Sequence, residues 1–380
     1  MNNQNKYCFL FAGGGTGGHL FPALSVAIEV RKKMPDSKIV FVGNKNKIEG
    51  KVVPKNGFAF ESIWIKGFAR KLTLSNLLFP IKLFVSLIQS LIICFKYKPN
   101  VAIGSGGYVS GPAIWAASKF GAKIVLLEQN SFPGVTSKIL EKYAEEIHIS
   151  FSDSKKYFKN QDKVILSGNP FIVPNQLVAK EEVYERFNLT PNKKTIIAVG
   201  GSLGAKTIND GVLKLISLII KEDLQLIWQC GNIYLNEYSK LLDEALNKLD
   251  GMSFLHKNIV ILPFIEKMTE VYAIADLVIA RSGATTIAEL SAFGKASILI
   301  PSPNVAENHQ YLNAKSISDS NGCVLIKDDE VDKILVSSVE TLIKDDVRLN
   351  ILKSNISTFA KPDAANSISD RIITLAGGVK

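Results

Sequence analysis

Tyr7-Cys8-Phe9-Leu10-Phe11-Ala12-Gly13-Gly14-Gly15-Thr16-Gly17-Gly18-His19 is an apolar run of strand length that stops in six residues, five of them glycine. Beyond it Leu20, Leu24, Ala27 and Ile28 recur on one helical face. Strand, glycine loop and helix together present backbone N–H groups and the positive end of a helix to an anion. A plain turn between strand and helix needs positive φ at one or two positions, not five glycines. The spacing of Gly13, Gly15 and Gly18 also fits a dinucleotide fingerprint. The acidic residue that would hold a ribose is absent, because the next apolar run, 38–43, ends in Gly43-Asn44.

The same succession recurs along the chain. Val101-Ala102-Ile103 leads into Gly104-Ser105-Gly106-Gly107-Tyr108-Val109-Ser110-Gly111-Pro112. Thr195-Ile196-Ile197-Ala198-Val199 leads into Gly200-Gly201-Ser202-Leu203-Gly204-Ala205. Ala275-Asp276-Leu277-Val278-Ile279-Ala280 leads into Arg281-Ser282-Gly283-Ala284-Thr285-Thr286-Ile287-Ala288-Glu289. Further strand-type runs at 123–127, 145–150, 163–167, 224–230, 259–262 and 297–301 alternate with helical patterns, which predicts parallel sheets. The fold class is therefore α/β, as two Rossmann-like, doubly wound domains facing across a cleft. The first is expected over 1–167, with a C-terminal helix in 362–380 packing back on it. The second is expected over 168–361, after a Gly168-Asn169-Pro170 linker.

A chain of 380 residues suits two cores. With 45 Lys+Arg against 35 Asp+Glu the surface favours anionic partners. No basic block interleaved with aromatics appears, so nucleic acid is not expected among them. Cys8, Cys94, Cys230 and Cys323 form no CxxC pair, and the histidines form no HExxH, so buried thiols and no zinc site are expected. No Asp-x-Asp occurs either, and a diphosphate held through Mg²⁺ or Mn²⁺ usually needs such oxygen ligands. Two Rossmann-like halves, phosphate loops on both and a basic surface suggest transfer from a nucleotide-diphosphate donor, whose leaving group backbone N–H groups and helix dipoles must then neutralise, with no metal and no cofactor. The polar residues 1–6 carry no signal-peptide core, so export is not expected.

Residues 72–98 are apolar apart from Lys82, Gln89 and a few small polar residues, with Lys66, Arg70 and Lys71 before them and Lys96 and Lys98 at their end. Pro80 reads as a break, which leaves less than the roughly 20 apolar residues of a spanning helix. A buried core helix and a helix lying on an anionic bilayer both fit, one face each.

At the ends of the later strands the polar residues converge. Amides opening the helix after Gly283 could take a diphosphate, and Glu289 could accept two hydroxyls of a ribose or hexose. An ordinary N-capped helix would carry the same residues. Three adjacent strand ends nonetheless offer hydroxyl, carboxylate and amide groups, the last from His309-Gln310-Tyr311.

These motifs, with Glu128-Gln129-Asn130 between them, stand in an order that resembles the MurG family. Its members are N-acetylglucosaminyltransferases that complete the lipid-linked disaccharide-pentapeptide precursor of peptidoglycan. The resemblance covers nearly the whole chain. It implies a GT-B fold and inverting, metal-independent transfer from UDP-N-acetylglucosamine to a lipid-linked muramoyl-pentapeptide. It also implies a peripheral enzyme on the cytoplasmic face of the membrane, against anionic inner-leaflet phospholipid. By matching motif, Thr16, Gly17, Gly18, Asn130, Ser202, Ile265, Ala284, Thr285, Thr286, Ile287, Ala288, Glu289 and Gln310 would contact the donor. Ile265 would serve the uracil through its backbone, Glu289 the ribose, and Gln310 and Asn130 the sugar. Gly106, Gly107 and Tyr108 would meet the acceptor diphosphate. His19 is the candidate general base, since an ordinary imidazole exchanges its proton near neutral pH; a hydrogen-bonding role for it stays open. The family usually has arginine where this chain has Ile172. A related lipid or natural-product glycosyltransferase, a UDP-sugar epimerase and a non-enzymatic sugar-nucleotide sensor are the alternatives, and a membrane-facing segment argues against the epimerase.

Overall fold

Among the described residues of the computed structural model every strand pairing is parallel, and the strands fall into two sheets. The structure describes residues 7–65, 67, 78–172, 178–248 and 258–377. Its two compact units are Met1–Ile172 with Lys361–Lys380, and Val173–Ala360.

The first sheet contains β1 (Cys8–Ala12), β2 (Lys38–Gly43), β3 (Ala59–Ser62), β4 (Val101–Gly104), β5 (Lys123–Glu128), β6 (Ala144–Ile149) and β7 (Val164–Leu166). Their spatial order is β3-β2-β1-β4-β5-β6-β7. Phe9 lies opposite both Ile39 and Val101, so β1 and β4 meet where the strand order reverses. β1, β4 and β5 are buried on both faces, which is why they read as unbroken apolar runs. Helices α1 (Gly17–Lys33), α2 (Glu49–Lys55), α3 (Phe79–Tyr97), α4 (Ser110–Lys119) and α5 (Val135–Leu140) accompany them. On one side of the sheet Leu10, Val40, Ala102 and Ile124 pack with Ile93 and Cys94 of α3 and Ile114 of α4. On the other, Phe9, Phe11 and Ile103 pack with Leu24 and Val30 of α1.

The α3 helix corrects one expectation. Pro80 does not break it, because it sits in the first turn, where its missing N–H has no helical carbonyl to meet. The 19-residue helix that results is long and apolar enough to cross a membrane, judged by length and composition alone. Its amphipathicity is inverted. Ser86, Ser90, Ile93 and Cys94 face the core, and the Ser90 hydroxyl donates to the Ser86 carbonyl. Ile81, Phe84, Ile92 and Phe95 are each more than half exposed, and Ile88 only slightly less. These five positions share one helical stripe. Lys66, Arg70, Lys71 and residues 72–77 lie outside the described residues.

The second sheet contains β8 (Thr195–Val199), β9 (Gln225–Gln229), β10 (Ile259–Leu262), β11 (Leu277–Ala280), β12 (Ser297–Leu299) and β13 (Val324–Leu325), ordered β10-β9-β8-β11-β12-β13. The reversal falls between β8 and β11. Helices α6 (Lys180–Arg186), α7 (Lys206–Lys221), α8 (Leu235–Lys248), α9 (Met268–Ile274), α10 (Ala284–Ala292), α11 (His309–Ser318), α12 (Val331–Lys344) and α13 (Asp346–Ser357) belong to the same unit. Trp228 anchors its core, donating from Nε1 to Asn209 Oδ1 at 3.0 Å while its ring meets Tyr238 edge-on.

The final helix, α14 (Ala364–Leu375), belongs to the first unit. Ile368, Ile372 and Ile373 join the cluster around Phe9 and Phe11. Arg371 grips Glu146 with two hydrogen bonds, at 2.8 and 2.6 Å. The first unit runs to Ile172 rather than ending at residue 167. The N–H of Gly168 donates to Ile149, and Phe171 is buried, so the glycine-proline stretch closes that unit and does not act as a linker.

Candidate active site

In the first unit, Thr16, Gly17, Gly18 and His19 follow β1, Gly106, Gly107 and Tyr108 follow β4, and Asn130 follows β5. These three strands are neighbours, so one end of the sheet gathers all of these residues. The two glycine loops interlock. A side chain at Gly13 would strike Ser105 Oγ, and one at Gly107 would strike the Gly14 carbonyl oxygen. Gly106 and Gly107 have φ of +98° and +76°.

The first glycine loop is not an empty anion cradle, as its composition suggested. The buried carboxylate of Glu49 accepts from the N–H groups of Gly15, at 2.9 Å, and Asn44, at 3.0 Å. An anion approaching this loop meets instead the amides of Gly17 and Gly18, which open α1 beyond the reach of any helical carbonyl. In the second loop the Gly106 N–H donates to Ser110 Oγ at 3.1 Å.

His19 stands on the first turn of α1, partly exposed. Its Nδ1 lies 2.9 Å from the Ser105 carbonyl oxygen and 3.4 Å from Gln129 Oε1. The Ser105 hydroxyl donates back to the His19 carbonyl at 2.7 Å. The neighbouring Glu128 is occupied locally, accepting from the N–H groups of Asn130 and Gly134.

In the second unit, Ser202 follows β8, Ile265 follows β10, Ala284 to Glu289 open α10 after β11, and Gln310 opens α11 after β12. Adjacent strand ends again bring them together. Gln229, which closes β9, ties this group. Its Nε2 donates to the Gly201 carbonyl at 2.9 Å, and its Oε1 accepts the Ile265 N–H at 2.7 Å. The Ile265 amide is thereby occupied. Ser282, fully buried, donates to the Gln310 carbonyl, while Gln310 Oε1 accepts from the Ser302 N–H. Arg281 is structural, joining the carbonyls of Ile300 and Pro301 to Asp328. Glu307 and Asn308 both have φ of +51°, which is costly without glycine, and they turn the chain immediately before α11. A hollow of about 440 Å³ beside that turn is lined by Ser302, Asn308, Tyr311, Lys327 and Asp329, among others.

Glu289 is the most perturbed carboxyl of this group. Burial pushes it up to about 7, against the weaker opposing pull of a hydrogen bond from Tyr272, 3.2 Å away. Tyr272 is itself buried and raised well above its ordinary value. Among the described residues no three His, Cys, Asp or Glu side chains come together as a metal site.

Ser105, Gln129, Glu49, Gln229 and Ser282 are the residues to which motif reading gave no role. All but Glu49 sit at or just beyond the carboxyl end of a strand, where a polar residue closing an apolar run is the available signal.

Two parallel-sheet units, each with glycine loops at its point of strand reversal, make up the GT-B fold. Residues 9–149 match the glycosyltransferase family 28 N-terminal domain, and residues 195–368 match the family 28 C-terminal domain. The chain is 41% identical over 381 residues to the UDP-N-acetylglucosamine--N-acetylmuramyl-(pentapeptide) pyrophosphoryl-undecaprenol N-acetylglucosamine transferase of Flavobacterium psychrophilum, which covers 99% of this chain and 100% of the relative. The transferase of the same name from Parabacteroides distasonis is 40% identical, covering 88% of each chain. This chain belongs to the MurG family of glycosyltransferases. The crystal structure of Acinetobacter baumannii MurG has the same fold, with a TM-score of 0.75 at 24% identity over 97% of this chain and 99% of that one. A UDP-GlcNAc 2-epimerase from Neisseria meningitidis, solved with UDP-GlcNAc, shares the fold alone, at a TM-score of 0.66 and 12% identity over 97% and 99% of the two chains.

Proposed function

We propose that this chain transfers N-acetylglucosamine from UDP-N-acetylglucosamine to the C4 hydroxyl of a lipid-linked muramoyl-pentapeptide, with inversion. The observation that carries this reading is the end-to-end identity to transferases of that name. The second unit takes the donor. The Ile265 carbonyl accepts from the uracil, and Glu289 accepts from the ribose hydroxyls. Amides at the start of α10 and around Ser202 face the diphosphate, so that charge building on departing UDP meets fixed dipoles. Gln310 of the same unit holds the sugar. The first unit takes the acceptor, whose diphosphate lies against Gly107 and Tyr108, the Gly106 N–H being occupied. His19 removes the proton of the attacking hydroxyl as the new bond forms on the face opposite UDP.

The acceptor lives in a bilayer, and the outward stripe of α3 supports a peripheral place on the cytoplasmic face of the membrane. Ile81, Phe84, Ile88, Ile92 and Phe95 enter the acyl boundary, with Lys82 and Lys96 near anionic head groups. Nucleic acid plays no part in this reading. The deciding assay is release of UDP from UDP-N-acetylglucosamine with and without the lipid-linked acceptor. Acceptor-dependent release is expected; release that ignores the acceptor would replace transfer with hydrolysis or isomerisation of the donor.

A further inference from the structure

The neighbourhood of His19 contains more machinery than hydrogen-bonding a loop requires. A backbone carbonyl can only accept, so the 2.9 Å contact with Ser105 places the proton of a neutral imidazole on Nδ1. The second neighbour of Nδ1 is also an acceptor. Gln129 donates its Nε2 to the Leu127 carbonyl at 3.1 Å, which turns Oε1 toward His19. Gln129 and Ser105 are both buried, so neither acceptor turns away to bulk water. The clasp is reciprocal, because Ser105 Oγ donates to the carbonyl of His19 while its own carbonyl receives the ring proton. Ser105 is in turn pinned by its N–H on the Ala12 carbonyl. The absence of a side chain at Gly106, where a Cβ would lie 2.6 Å from Nδ1, lets the loop pass over the ring.

We infer that Ser105 and Gln129 are positioning residues for this transfer, holding the His19 ring in the tautomer whose bare Nε2 can take a proton. The inference rests on reading His19 as the general base. As the ring gains that proton, the two acceptors on Nδ1 stabilise the cation, as a carbonyl or carboxylate behind a catalytic imidazole does. Ionisable groups on the surrounding elements are engaged elsewhere. Glu49 of α2 is held by the Gly15 and Asn44 amides, Glu128 of β5 is held by those of Asn130 and Gly134, and Tyr108 lies against Gly67. Gln129 is therefore the place from which charge behind the ring can be changed.

The test is Gln129→Glu in the full chain, with Gln129→Leu as its neutral counterpart. The His19 titration would be followed by ¹⁵N resonances of the imidazole, and kcat/KM would be followed against pH with the lipid-linked acceptor. A carboxylate behind Nδ1 should move the His19 midpoint, and the acidic limb of kcat/KM with it, to higher pH by about one unit. Gln129→Leu should move both the other way, and wild-type His19 should show the Nδ1–H tautomer below saturation by acid. A purely structural role would lower kcat in both variants and leave both midpoints in place, which overturns the inference. A ring in the opposite tautomer in the wild type also overturns it. If the imidazole midpoint moves while the kinetic limb stays, the positioning holds and His19 loses its place as the base.

Discussion

Glu289 sets the strongest pH dependence in the donor site, and its sign follows from burial. With the free protein's carboxyl pushed up to about 7, about nine-tenths of the molecules are ionised at pH 8, half at pH 7 and one-tenth at pH 6. In the donor-binding mode proposed above, only the ionised form accepts both ribose hydroxyls. The diphosphate of a UDP-sugar is esterified at both ends and does not change charge over this range. Donor affinity should therefore fall about tenfold from pH 8 to pH 6. Glu289→Gln should lose about 10- to 100-fold in affinity at pH 8, the worth of a charged hydrogen-bond acceptor, and its affinity should be flat with pH. Stability should move the opposite way. Because the folded-state value lies above the ordinary 4.5, the folded unit holds a proton the unfolded chain has released, and stability declines as pH rises from about 4.5 to 7. Glu289→Gln removes that cost, so at pH 8 the variant should be more stable than the wild type by about 1–3 kcal/mol. Calorimetric titration with UDP-N-acetylglucosamine at pH 6, 7 and 8, paired with denaturant unfolding without ligand, measures both. A wild-type affinity that stays level across this range, or a Gln variant no more stable than its parent, would refute the reasoning.

Three further outcomes follow from other parts of the chain. Gly106→Ala should cost about 1–2 kcal/mol for a φ of +98° and, by displacing the His19 ring, about 100-fold or more in kcat, with donor affinity by titration little changed. Replacing Ile81, Phe84 and Ile92 together by serine should reduce flotation with anionic vesicles about 1,000-fold or more in partition coefficient, given about 1.5 kcal/mol or more for each inserted side chain; undiminished flotation would remove α3 from the membrane contact. Burial alone would raise the Glu146 carboxyl, but hydrogen bonds from His148 and Arg371 outweigh it and hold it at about 2. The stability it contributes is complete above about 4.5 and is lost as pH falls from there to 2, so Arg371→Ala should narrow this acid-sensitive window. Arg371 is half exposed, and screening keeps its cost near 1 kcal/mol at pH 7 by denaturant unfolding.

The sheets were legible because a central parallel strand is covered on both faces and must be apolar throughout. Phe9 to Ala12, Ile124 to Leu127 and Ile196 to Ala198 announce themselves in that way. The two strands missing from the sequence reading, β3 and β13, lie at sheet edges, where four half-exposed residues or only two carry no periodicity. The glycine loops were legible as loops, but not what fills them. Glu49 reaches Gly15 from 34 residues away, and Gln229 reaches Ile265 from 36, distances at which local pattern carries no signal. Pro80 misled for a related reason. Whether proline ends a helix or begins one depends on which side of it the helix packs, and the apolar run extends on both sides.

The return of α14 to the first unit orders the assembly of the molecule. Residues 361–380 are synthesised after the whole of the second unit, yet Ile368, Ile372 and Ile373 help close the hydrophobic cluster behind β1. Throughout translation, then, the amino-terminal half waits with an open seam along α1, and with the greasy outer stripe of α3 already made. A nascent chain in this condition offers two sticky surfaces at once, and only one of them is sealed by its own sequence.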